Sequence, residues 1–167
     1  MPVTPFHFGP GLFIKSVLSK RFSFRVFIMA NVVTDVEPLY FMLTRQYPLH
    51  RFTHTYLGAT LVAIGCIIVG RPICSRLTEI WNGLFEGLKI ANDKIETPAL
   101  ILGAFAGTYS HVLLDSLMHR DLRPFYPWNS SNGLLHALSY EQIHLFCVLA
   151  GLGGLLICLM TKKRRGL

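Results

Sequence analysis

The stretch Ile143–Met160 is almost uninterrupted apolar sequence and runs directly into Thr161-Lys162-Lys163-Arg164-Arg165. An apolar run of about 18 residues without a formal charge is long enough to cross a bilayer as a helix, which also satisfies its own backbone in lipid. Its Gly151, Gly153 and Gly154 offer a small-residue face for close helix packing. Pro98–Met118, about 20 residues, is a second comfortable span. Tyr56–Gly70, about 15 residues, is short, with Arg51 and Arg71 placed to snorkel at its ends.

Upstream, Gly9–Ser19 and Phe22–Leu43 read as two helices joined at the basic tip Lys20-Arg21, the first starting at Gly9-Pro10-Gly11. Pro38 should end or kink the second, leaving Asp35 and Glu37 near its terminus. Arg76–Glu96 mixes charge with apolar residues at helical spacing, which suggests an amphipathic interfacial helix or a cytoplasmic connection. Arg120–Asn132, rich in Pro and aromatics, reads as an ordered loop. With 51% hydrophobic and 15% charged residues, the expected fold is all-α: one membrane-embedded domain over residues 1–167, a bundle of about four packed segments.

A net charge of +7 raises the question of nucleic acid. The cations cluster at the ends of apolar segments (Lys15, Lys20, Arg21, Arg25; Arg71, Arg76; Lys162–Arg165) rather than along one stripe, which is positive-inside anchoring and argues against that partner. Membrane lipids are the expected surroundings. Met1–Pro10 carries no positive n-region, so no secretory signal is read. Cys66, Cys74, Cys147 and Cys158 lack metal-motif spacing and read as small hydrophobes.

Charge also predicts a topology. The C-terminal basic run places that end in the cytoplasm, and walking backward alternates the spans. His7, Asp35, His50, His54, His111 and Asp115 then all collect at the outer face, although the charge rule takes no account of them.

Those residues stand in or beside segments too apolar to hold them cheaply, and ionisable groups at membrane depth mark functional sites. His50 and His54 are four apart, as are His111 and Asp115, a spacing that stacks two side chains on one helical face. Imidazole with carboxylate is a zinc-type ligand set. The plainer readings are an interfacial histidine for His50 and a helix-tying hydrogen bond for His111 and Asp115. His119 can extend the His111–Asp115 face or sit solvated beside Arg120, and the second is preferred. His136, Glu141 and His144 read as ordinary interfacial residues.

The early His7, Asp35-Val36-Glu37, the run His50-Arg51-Phe52-Thr53-His54-Thr55, and Ser110-His111-Val112-Leu113-Leu114-Asp115 together resemble the inner-membrane predicted metal-dependent hydrolases, a family with a LexA-regulated bacterial member. That family is distantly similar to zinc phospholipases C and fungal zinc nucleases, which cleave phosphate esters at multi-zinc sites. The resemblance implies His7, Asp35, His54, His111 and Asp115 as ligands for one or two divalent ions, zinc first among them. Thr34 stands where the family has Pro, and a later His-x-x-x-Asp/Glu pair of the zinc enzymes is missing.

The expected function is membrane-bound hydrolysis of a phosphoester, small or lipid-linked, in the inner or plasma membrane. Asp35 or Glu37 accepts a proton from water, and His50 or Arg51 steadies charge on the phosphate. The alternative is a non-enzymatic His/Asp pathway for protons or divalent metal. Such a path needs polar groups through the full bilayer depth, and the inner halves of Tyr56–Gly70 and Pro98–Gly107 lack them.

Overall fold

The computed structural model describes residues 4–164, and all regular structure among them is helical. The helices are α1 (Thr4–Leu18), α2 (Phe24–Thr34), α3 (Val36–Leu43), α4 (Tyr56–Leu84), α5 (Thr97–Met118) and α6 (Tyr140–Arg164), with single 3-10 turns at Ser19–Arg21 and Glu86–Leu88. Among the described residues, Phe24–Leu43, Tyr56–Leu84, Thr97–Met118 and Tyr140–Thr161 are the 4 stretches long and apolar enough to cross a membrane. With α1, too short at 15 residues to span unaided, they form an all-α membrane bundle.

Glycines set the packing directions. A Cβ at Gly9 would collide with the Cys147 carbonyl, and one at Gly154 with the backbone of Leu12 and Phe13, so α1 and α6 lie parallel at close range. The small-residue face of α6 is spent on α1. Gly103 meets the Ser23 carbonyl and Gly107 meets Ala30 and the Phe27 carbonyl, which makes α2 and α5 parallel as well. Helix α4 runs the other way: Gly70 faces Leu100 near the start of α5, while Tyr56 meets Tyr109 near its end.

Three expectations need correction. Helix α1 does not start at Gly9-Pro10-Gly11 but runs straight through Pro10, because its first turns are held on α6 by Gly9 and by the Phe6 ring, which meets the His144 ring at 4.7 Å. Helix α4 does not stop at Gly70 but continues through Arg71 and Pro72 to Leu84. Arg71 leaves the helix surface to bond the Ile95 carbonyl and Thr97 Oγ1, so its charge does not end the span. Arg76–Glu96 is accordingly no separate amphipathic helix: its first part is the end of α4, and the remainder is a 3-10 turn and an extended link.

Pro38 does kink its helix, but mid-way. Lacking an N–H, it cannot bond the Thr34 carbonyl; the helix turns at Asp35 and resumes as α3. The freed carbonyl accepts from the Thr53 hydroxyl at 3.0 Å.

One end of this bundle collects cations. Arg25 bonds Thr78, Asn92 and the Asp93 carbonyl, and Lys15, Lys20, Arg25 and Lys94 border a common cavity. The side chains of Lys162–Arg165, and all of Met1–Val3, lie outside the described residues. Above this end sits an apolar core of Val26, Ala30, Ala63, Cys66, Leu100 and Ala104. The opposite end holds His7, Asp35, His54, His111 and Asp115.

Candidate metal centre

His111 and Asp115 sit one turn apart on α5, Asp35 at the α2–α3 break, and His54 on the loop entering α4. Ligand atoms of these four residues all lie within 4.8 Å of one another. His111 Nε2 is 3.1 Å from Asp35 Oδ1 and 3.3 Å from Asp115 Oδ2. His54 Nε2 is 3.6 Å and 3.3 Å from the same two oxygens. His54, His111 and Asp115 are at most 1% exposed and Asp35 8%.

Two ligands bound at about 2.0–2.1 Å to one tetrahedral ion stand about 3.4 Å apart. The four His–Asp separations bracket that edge length, and the group could hold a zinc-like ion. Hydrogen bonding explains the cluster less well. His54 Nε2 and both carboxylate oxygens of Asp115 are buried without a hydrogen bond of acceptable geometry, despite their short approaches.

Neighbouring groups settle which ring nitrogens carry protons. The Asn31 amide donates to the Phe27 carbonyl at 2.8 Å, so its oxygen faces His111 Nδ1 at 3.1 Å and accepts from it. His111 Nε2 then presents its lone pair to the carboxylates. The Thr53 hydroxyl has one hydrogen, directed at Glu37 Oε2 (2.7 Å) and the Thr34 carbonyl. It therefore accepts from His54 Nδ1 at 3.2 Å, and His54 Nε2 is left as a lone pair too. Two imidazole lone pairs and two carboxylates aimed at one point repel unless a proton, as in the His111 Nε2–Asp35 Oδ1 hydrogen bond, or a metal ion lies between them, and outer partners on the far nitrogen are how proteins orient ligating histidines. Burial opposes charge on His54, yet Asp115 and Asp35 outweigh it and raise its pKa. The cluster attracts positive charge.

The remaining expected residues fall around this core. His7, on the first turns of α1, places Nε2 3.2 Å from Asp115 Oδ1, and its ring stacks on His111 at 4.5 Å between centroids. It meets the oxygen that faces away from His54 and His111. Glu37 is not brought into the cluster; its carboxylate accepts from the Phe52 and Thr53 amides and the Thr53 hydroxyl, clamping the loop that carries His54. His50 lies beside the cluster, its ring 4.7 Å from that of His54.

His50 belongs to a second group with His119 and Asp121. Its Nδ1 is 3.0 Å from Asp121 Oδ1, and its ring stacks on His119 at 4.2 Å. His119 is therefore not the solvated neighbour of Arg120 that its position suggests. Burial carries its pKa down to about 4 and lowers that of His50 as well, keeping both rings neutral near pH 7. Asn31, Thr53 and Asp121 carry no sequence signal beyond Asn31 standing one turn before Asp35. His136 and His144 lie apart, the first bonding the Leu117 carbonyl through its backbone and the second the Tyr140 carbonyl.

Beside the second group opens a cavity of about 450 Å³ lined by His50, Arg51, Phe52, Thr55, Asp121, Arg123 and Tyr126, among others. Arg51 is held there by the Pro48 carbonyl at 2.9 Å and by the Phe41 ring, 3.5 Å below its guanidinium. Exposed aromatics (Tyr47, Phe52, Phe125, Tyr126, Trp128, Tyr140) surround this end of the bundle.

Comparison with known proteins accounts for nearly the whole chain. Searches of curated proteins and of solved structures find no match. The model of one family, described as YdjM inner membrane protein, matches residues 5–167, from the helix that carries His7 to the C-terminus. A chain with four apolar spans that matches this model end to end belongs to the YdjM family of inner membrane proteins.

Proposed function

We propose that this protein is a membrane-bound, metal-dependent hydrolase of phosphoester bonds whose substrates enter from the lipid–water interface. The observation that carries the proposal is the clustering of Asp35, His54, His111 and Asp115 next to His50, which lines an arginine-walled cavity. The motif resemblance to metal-dependent hydrolases supports the reaction class.

Those four residues would hold a divalent ion, zinc by donor chemistry, with His7 beside them at the outer oxygen of Asp115. When bound, such an ion supplies Lewis acidity and lowers the pKa of a water to about 7. Asp35, the most exposed carboxylate of the cluster, accepts the proton given up by water. Arg51 and Arg123 neutralise phosphoryl oxygens in the cavity, the pairing that guanidinium geometry favours. Glu37 and Thr53 hold His54 in place. The exposed Tyr, Trp and Phe side chains support a cavity mouth at headgroup depth, where such residues concentrate. A lipid-linked phosphoester meets that mouth without leaving the bilayer.

A proton or metal pathway is the lesser reading, because the polar groups stop. Below the cluster the core is Val26, Ala30, Ala63, Cys66, Leu100 and Ala104. Positive-inside reading of the opposite end supports a site on the outer face of the inner membrane; thiol labelling of cysteines introduced beside Lys20 and Tyr126 should find them on different sides.

The test uses purified protein with generic phosphoester and phospholipid substrates. Phosphate or diglyceride-type product should form, stop on chelation and return with zinc, while Asp35→Asn stays inactive though inserted. Turnover indifferent to chelation would overturn the proposal.

A further inference from the structure

The two His/Asp groups differ in what they leave open. The buried cluster supplies four ligand atoms, a full tetrahedral complement. A site with three protein ligands leaves one position of a zinc-like ion free for a further oxygen. His50, His119 and Asp121 are a three-ligand set, each offering an atom within 4.8 Å of the others.

Their setting suits an open site. His50 is only 4% exposed. Its Nδ1 is committed to Asp121 Oδ1, and its Nε2 is buried with no hydrogen-bond partner. A buried lone pair with nothing to accept is rare and calls for an explanation such as an ion. Asp121 is itself fixed: its Oδ2 accepts from the Leu49 and His50 amides at 2.9 and 3.1 Å. The fold thus spends the outer oxygen of Asp121 on the backbone and leaves Oδ1 toward the imidazoles. His50 and Asp121 also line the 450 Å³ cavity alongside Arg51 and Arg123.

We infer that His50, His119 and Asp121 bind a second divalent ion at the wall of this cavity, and that its free position receives a phosphoryl oxygen steered there by Arg51 and Arg123. The ligand rests on the phosphoester reading above; the ion does not. On this assignment the second ion holds the phosphoryl group beside the buried cluster.

The experiment strips full-length, detergent-purified protein of metal, reloads it with cobalt(II), and follows metal content and the visible cobalt spectrum as inorganic phosphate is added. Wild type should hold about two ions per chain and respond to phosphate. His119→Ala should hold about one and lose the phosphate response. Should that variant fail to insert, Asp121→Asn, which keeps an oxygen for the Leu49 and His50 amides, should behave the same way. His111→Ala should instead lose the buried ion and keep the phosphate response. A single ion in wild type that His119→Ala leaves in place overturns the inference. If His119→Ala also hydrolyses phosphoesters normally, the inference fails and the hydrolase reading stands; no ion in wild type sinks both.

Discussion

Helices α2, α4 and α5 meet twice, in two different ways. Toward the basic end they join through Val26, Ala30, Ala63, Cys66, Leu100 and Ala104, with Gly103 and Gly107 letting α5 press on the α2 backbone. Toward the other end, α2 and α5 meet through Asn31, Asp35, His111 and Asp115, and His54 closes the cluster from the loop before α4. The first junction is complete as it stands, since apolar atoms need only one another. The second contains buried carboxylate oxygens and imidazole nitrogens without hydrogen bonds, so on the metal-site proposal its stability would depend on a cation supplied from outside. One end is a fastener and the other a receptacle.

The largest expected effect tests that division. Zinc at about 100 times its dissociation constant should stabilise wild type by about 2.7 kcal/mol, read as a rise in unfolding temperature in detergent. Asp115→Ala, which removes the carboxylate facing His7, His54 and His111, should abolish the rise. Arg25→Ala at the basic end should leave it intact even though it breaks bonds to Thr78, Asn92 and Asp93. Equal zinc dependence in both variants would erase the distinction between the two ends.

The proton-coupled form of the same test has a definite sign. Ligating histidines must be neutral, so proton and metal compete. Near pH 5.5 a free imidazole, with a pKa of about 6.5, would weaken zinc binding about tenfold as a ligand. His54, whose pKa Asp115 and Asp35 raise against its burial, starts to compete at higher pH than that. Zinc affinity should therefore fall as pH drops below neutrality and level off above; an affinity rising toward acid would mean that the histidines are not ligands.

The spans and the convergence of the metal residues were legible because both rest on patterns a linear chain displays. Apolar runs bounded by cations give the bundle, and His111–Asp115 at helical spacing gives a face. The failures share a physical cause. Pro10, Pro72 and Arg71 look like helix boundaries, but contacts between helices override local preference. α6 holds the start of α1, and Ile95 and Thr97 receive Arg71. Glu37 has the chemistry of a ligand or base, yet its neighbours in space are the amides of Phe52 and Thr53. His119 and Asp121 meet His50 across a distance of about seventy residues, which no periodicity reports.

Support behind the ligands should give the next largest effect. Thr53→Val keeps the shape of the side chain but removes the hydroxyl between Glu37 and His54. Loss of such an outer partner lowers metal affinity about 10–100-fold. Glu37→Gln should fall in the same range and keep the loop folded, since an amide oxygen can still accept from the Thr53 amide. A competition assay with a chromophoric zinc chelator would measure both. Affinities equal to wild type would show that Thr53 and Glu37 hold the loop without orienting His54.

The smallest effect separates packing from ligation. A Cβ at Gly107 would stand 2.8 Å from both the Ala30 Cβ and the Phe27 carbonyl oxygen and 3.3 Å from Asn31 Nδ2. Gly107→Ala must push α5 off α2, an overpacking that destabilises by about 1–3 kcal/mol. The displaced backbone is the one that positions Asn31 against His111 Nδ1, so zinc affinity should decline with it. At Gly65, on α4, a Cβ meets nothing within 4 Å. Gly65→Ala should instead stabilise by about 0.5–1 kcal/mol through the lower backbone entropy of alanine and leave zinc affinity unchanged. Unfolding temperatures and zinc titrations of the pair supply both readouts. If Gly107→Ala lowers stability while zinc affinity holds at the wild-type value, the two ends of the α2–α5 contact are mechanically independent, and the receptacle is positioned by its own hydrogen bonds rather than by the packing beneath it.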